Sequence, residues 1–160
     1  MNFFTQAAEQ DHAGAQYWLA IMYSDGDGVS KNYHEAIKWF AKSAENGSKD
    51  AKYNLGVMYY NGEGVSEDNV QAYMWMYLAT QNRSSYASQT LKRIQKHMAT
   101  NETEEGQRLS IEWQKNRYKE ALEKGNYTKA LKRLKDLYPS GSQKNKLLRA
   151  MGSDLFSEVV

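Results

Sequence analysis

The chain repeats itself. Displaced by 36 residues, residues 8–43 lie on residues 44–79, and thirteen of those 36 positions are identical. The matches include Ala15/Ala51, Tyr17/Tyr53, Leu19/Leu55, Gly26/Gly62, Gly28/Gly64, Ala36/Ala72 and Trp39/Trp75. Self-similarity at a fixed period marks a stacked array, in which each unit carries an apolar face that only its neighbour covers. The period runs on in both directions. Phe3 and Phe4 fall in register with Trp39 and Phe40, so residues 2–12 read as the second half of an earlier unit. Ala87 and Leu91 continue the Ala15/Ala51 and Leu19/Leu55 series, and then the match fails.

Each unit reads as two helices. Ala15, Leu19, Met22 and Tyr23 are spaced i, i+4, i+7 and i+8, which is one helical stripe. Gly26-Asp27-Gly28-Val29 turns the chain, and Ala36, Trp39, Phe40 and Ala44 form a second stripe ending at Gly47. Alanines at the contact positions let helices approach closely, with Trp39 and Trp75 beside them and Tyr23 and Tyr59 joining the core. No period-two alternation is sustained, so strands are not expected. Beyond residue 81 the spacing predicts a helix over Tyr86 to Met98, and another capped by Asn101 that carries Trp113 in its core and ends at Gly125. Asn126 restarts a helix through Ala130 and Leu137, stopped at Tyr138-Pro139, with a short helix at 143–151. The expected organisation is a repeat array over 1–124 and a basic helical extension over 125–160. Within the array lie the half repeat 2–12, repeats 13–47 and 48–83, and closing helices 84–124.

Composition narrows the function classes. The absence of cysteine among 160 residues excludes a disulfide framework, a thiolate zinc site and a cysteine nucleophile. No apolar run reaches the roughly 18 residues of a membrane-spanning helix, so no membrane span is expected. The start of the chain lacks the basic flank and apolar run of a secretion signal, and a cytoplasmic location is expected, or a secreted or periplasmic one if the natural chain is longer. The net charge is +2, but residues 1–80 hold 5 Lys/Arg against 10 Asp/Glu and residues 81–160 hold 16 against 9. An acidic half is thus joined to a basic half.

The pattern A-x-x-x-L-[GA]-x-x-Y-x-x-G-x-G-V followed by A-x-x-W occurs at 15–39 and again at 51–75. It resembles the Sel-one-like repeat family of the tetratricopeptide-like superfamily. The stretch from Met98 to Trp113 looks like the closing helix of bacterial members, and Gly125 to Leu131 resembles the start of a further helix of the tetratricopeptide type. Ala20 departs from the family's usual glycine, and the third unit lacks its glycine turn. The resemblance implies an all-α fold, a right-handed α/α superhelix or solenoid of helix-turn-helix repeats of 36 residues. It also implies a protein–protein interaction adaptor whose first helices line a concave groove.

The Asp25-Gly26-Asp27-Gly28 and Asn61-Gly62-Glu63-Gly64 loops invite a calcium or a phosphate reading. The first lacks the further oxygen ligands of a calcium loop, and both loops follow a helix where a phosphate cradle follows a strand. They read as turn glycines with positive φ. His12, His34 and His97 are scattered, and no serine elbow is present. No metal, cofactor or catalytic residue is assigned, and a hydrolase-like enzyme is the remotest alternative. The partner-binding candidates are Tyr17, Trp18, Tyr53, Asn54 and Tyr60, which flank the Leu19/Leu55 stripe. Tyrosine and tryptophan combine large contact area with few rotatable bonds. The competing reading makes them half-buried packing residues. The basic half offers Lys115, Lys119, Lys129, Lys132 and Arg133 as a surface for nucleic acid or an acidic partner, within a basic stretch at 83–149. Phe3 and Phe4, on a half repeat without its first helix, suggest an apolar flank open to self-association.

Overall fold

The computed structural model describes residues 2–81, 85–126, 128–130 and 132–133, with backbone alone for residues 2–4 and for Ser85. Seven helices are delimited: α1 (Asn2–Glu9), α2 (Ala13–Asp25), α3 (Tyr33–Glu45), α4 (Lys49–Asn61), α5 (Asn69–Thr80), α6 (Ser85–Gln95) and α7 (Thr100–Glu123); residues 128–130 and 132–133 are helical as well. None of the described residues is in a strand. The chain divides between Ser110 and Ile111 into two compact units.

The first unit is a row of helix hairpins in which each helix from α1 to α6 packs on the next. Identical local chemistry builds each hairpin. Asn32 and Asp68 start the second helices by accepting the backbone N–H of Glu35 at 3.2 Å and of Gln71 at 2.9 Å. Ser48 starts α4 in the same way, and His12 starts α2 through its Nδ1. Each cap meets a donor that the first helical turn leaves unpaired. α2 and α4 end at Gly26 (φ 80°) and Gly62 (φ 69°), whose N–H groups return to the carbonyls of Met22 and Met58. Asn32 N–H to Tyr23 O (2.8 Å) and Asp68 N–H to Tyr59 O (2.9 Å) then pin both loops. Gly47 ends α3 at φ 99°, as expected. Asp11 adopts φ 60° one period earlier, a conformation that glycine takes more readily.

The buried stripes follow the predicted spacing and are wider than predicted. Ala15, Leu19, Ala36, Phe40, Ala44, Ala51, Leu55 and Ala72 are buried, and so are Ala20 and Gln16. Gln16 donates its amide to Ala8 O at 2.9 Å and accepts from Asn46 Nδ2 at 2.9 Å, so one polar side chain ties α1 and α2 to the end of α3. Trp75 is core. Trp39 is only half-buried: one side packs on Ala8, Ala15 and Leu19, and the Lys42 ammonium lies 4.2 Å from the ring centroid. Tyr23 and Tyr59 are also half-buried near the ends of their helices, and Met22 is half-buried where Met58, at the same repeat position, is buried.

α5 is the most enclosed helix. Tyr73, Met76, Leu78 and Ala79 are each at most 1% exposed. The Tyr73 ring lies against Gly106 of α7, and its hydroxyl accepts from Gln107 Nε2 at 3.0 Å. The α6 helix ends at Gln95 and not at Met98, because His97 and Met98 close onto Ile94 and Gln95 in i→i+3 turns. The α7 helix begins at Thr100, so Asn101 lies inside its first turn. The Glu102 carboxylate instead accepts the Ala99 N–H at 2.7 Å, one half of a capping box.

Among the described residues of the second unit, Tyr118, Ala121 and Ala130 are the buried apolar ones. Trp113 is half-buried, with the Arg117 guanidinium carbon 4.4 Å from its ring centroid, rather than core. Gly125 (φ 65°) follows α7, and Asn126 accepts the Lys129 N–H at 3.0 Å, as a restarted helix requires. The expectations for Phe3 and Phe4, for Leu131 to Pro139 other than at Lys132 and Arg133, and for 140–160 fall on side chains or residues outside those described.

Candidate functional site

The first helices α2, α4 and α6 bury one stripe and turn another outward. Positions 14, 18, 21 and 25 of α2, of which Gly14, Trp18 and Asp25 are exposed, recur 36 residues later in α4, as 50, 54, 57 and 61, and again in α6, as 86, 90 and 93, with Val57 packed against the core. Trp18 and Asn54 therefore hold equivalent places in successive repeats. Trp18 is 57% exposed. The Tyr17 ring is half-buried, 5.7 Å from Trp18 at an interplanar angle of 74° and 5.8 Å from Phe40. Its hydroxyl accepts a hydrogen bond from Asn54 Nδ2 at 3.3 Å. Two repeats are thus joined at their outward face by an aromatic pair and an amide.

The other two groove candidates are placed differently. Tyr53 and Tyr60 are half-buried and pack against the cluster of Ala72, Tyr73, Met76, Ala79, Ala87 and Ile94. Tyr60 also borders an open hollow of about 600 Å³, lined by Asn61, Glu67, Asn69 and His97 besides. Next to it, burial pushes the Tyr59 phenol above its usual pKa, and the Asp68 carboxylate adds to the rise. Among the described residues no group of three or more histidines and carboxylates is arranged to hold a metal ion.

Tyr86 was missed by sequence reasoning. It is 75% exposed, at the start of α6 in the place of Asp50. The period carries the signal, but it was read past residue 81 only for the inward members Ala87 and Leu91, which are buried and half-buried, and not for the outward stripe.

The basic candidates differ in exposure. Lys119 and Lys132 are exposed, and Lys115 and Lys129 are half-buried. Arg133 is buried and donates its Nη1 to the Arg117 carbonyl, so it packs within the second unit and is not a surface cation. Glu120 lies among these cations and meets Lys124 at 2.6 Å, which holds its carboxyl below the usual range.

Comparison with known proteins fits this geometry. A family model described as Sel1 repeat matches residues 13–48 and 49–84, each match spanning one hairpin. A comparison with curated proteins finds no match. The chain is similar to the crystal structure of a protective antigen present in uropathogenic Escherichia coli strains that displays an SLR fold. Identity is 27% and the TM-score 0.68, over 76% of this chain and 27% of that one, so the chain spans little more than a quarter of that protein. It is also similar to the crystal structure of a Sel1 repeat protein from Oxalobacter formigenes, at 32% identity and a TM-score of 0.54, over 83% of this chain and 95% of that one. With both hairpins matched and a relative aligned over nearly its whole length, the chain belongs to the Sel1 repeat family.

Proposed function

We propose that the protein is an interaction adaptor that holds a peptide or protein segment against the outward face of α2, α4 and α6. The observation that carries this reading is the Tyr17–Trp18–Asn54 platform. Trp18 keeps more than half of its surface in water, yet its neighbour Tyr17 is fixed by Phe40 beneath and by Asn54 from the next repeat. An exposed aromatic on a rigid support loses little conformational freedom on binding, which is what an anchoring residue requires. The repeat array supplies the support, because each hairpin is held by its neighbours on both sides. Tyr53 and Tyr60 contribute as the floor beside this platform, their rings half-committed to the core.

Affinity capture from the native host, compared between wild type and the Trp18→Ala/Asn54→Ala variant, tests the proposal. The expected result is a partner retained by wild type and reduced about tenfold with the variant, at unchanged helicity. Equal retention by both proteins would move the binding surface elsewhere.

A further inference from the structure

The outward face of the first helices carries a charge order as well as aromatic anchors. α2 contains no lysine or arginine, and its exposed charge is Asp25. On α4, Asp50 is exposed in the outward stripe, and the exposed Lys49 lies about 100° round the helix from it. α6 contains no aspartate or glutamate and exposes Lys92 and Arg93, with Arg93 in the outward stripe. The face therefore runs from anionic at α2 to cationic at α6. Trp18 and Tyr86 stand on the two outer helices, and they are two of the three large hydrophobic side chains exposed among the described residues.

Asn54 lies between them. One N–H of its amide is given to Tyr17 Oη. The other N–H and the carbonyl form a donor–acceptor pair that matches a peptide unit. A helical ligand satisfies its own backbone groups, whereas an extended one presents them. From α2 to α6 are two helix spacings of about 10 Å each, or roughly six residues of extended chain.

Resting on the adaptor reading above, we infer that the occupant is an extended segment of about six residues with a basic residue at its α2 end and an acidic residue at its α6 end. Its side chains lie on Trp18 and Tyr86, and its central peptide unit pairs with Asn54. The Asp25 carboxylate attracts the basic end and Arg93 the acidic end. These charges fix the direction of the chain more than they strengthen its binding.

Panning a phage-displayed library of random octapeptides on the purified protein tests the inference. Trp18→Ala/Tyr86→Ala and Arg93→Glu are panned in parallel, with circular dichroism on each. All three side chains are exposed, so each variant is expected to melt with wild type. The expected selection carries Lys or Arg and, about five residues away, Asp or Glu, in one fixed order. Arg93→Glu is expected to exchange the acidic preference for a basic one, and the aromatic double variant to retain about tenfold fewer phage. Enriched peptides without a charge order, or with an order indifferent to Arg93→Glu, overturn the inference and leave the adaptor reading standing. Enrichment that does not depend on Trp18 and Tyr86, or no enrichment, overturns both. Should the aromatic variant fail to fold, the response to Arg93→Glu decides.

Discussion

Gly64 is a loop residue on which packing between repeats depends. A Cβ there would stand 2.5 Å from the Tyr33 Cβ and 3.0 Å from its carbonyl carbon, in the preceding hairpin, and φ is +77°. Both strain and collision oppose any side chain. At Gly62 the nearest atom is the Glu67 Cγ at 3.0 Å, on a flexible side chain, and at Gly47 nothing lies within 4 Å. Alanine substitutions should therefore rank in that order. Gly47→Ala is expected to cost about 1 kcal/mol from backbone strain alone, and Gly64→Ala about 2–3 kcal/mol. Thermal denaturation of the three variants checks the ranking, and equal melting would deny the contact with Tyr33. Tyr59 gives a second test at this scale. Its folded-state pKa is raised, so the unfolded chain loses that proton first. The associated stability is present below about pH 10 and is lost as pH rises through the alkaline range. Tyr59→Phe should flatten the alkaline fall in denaturation midpoint and leave neutral pH nearly unchanged.

At the scale of the element, each hairpin depends on its caps and on a few close approaches. Asp68→Ala removes the acceptor of the Gln71 N–H and is expected to cost about 1 kcal/mol, lowering the melting temperature by about 2–4 °C. Gly106 lets the start of α7 lie on Tyr73, where a Cβ would be 2.6 Å from the ring and 3.2 Å from Val70 O. Gly106→Ala should loosen the first turns of α7, seen as faster amide exchange there while α2 and α3 keep their protection. Uniform protection would place α7 elsewhere. The glycine turns, the helix pairs and most buried alanines were legible in the sequence because each appears twice and the period aligns them. Gly106 and Asn101 were not legible in the same way. Neither has a repeated counterpart, and the cap was supplied by the Glu102 side chain from inside the helix. Ala20 and Gly56 illustrate the same limit. They are equivalent in sequence, but at Gly56 a Cβ would meet Met76 at 2.9 Å, while Ala20 is accommodated fully buried. Spacing reports that a contact exists and not how close it is.

On the scale of the whole molecule, function follows from what the array leaves uncovered. Burial of the Leu19/Leu55 stripe turns its neighbours outward at a fixed interval, so Trp18 and Asn54 hold equivalent places on α2 and α4, and Tyr86 stands on α6 in the place of Asp50. The sequence indicated the first two, because aromatic and amide residues beside a buried stripe can be picked out by spacing. Trp18 and Tyr53 differ because they hold different places in the repeat: Tyr53 is equivalent to Tyr17, and both are half-buried. Tyr53 meets the cluster around Met76 and Ala87, and Trp18 meets water. The central claim is that partners are held on this face. Site-specific photo-crosslinking in the native host tests it most directly, with a photoreactive phenylalanine placed in turn at Trp18, at Tyr86 and at Lys38, which is exposed on a second helix. The account predicts one crosslinked partner shared by positions 18 and 86 and absent at 38. Crosslinking at 38 with none at 18 or 86 would contradict it.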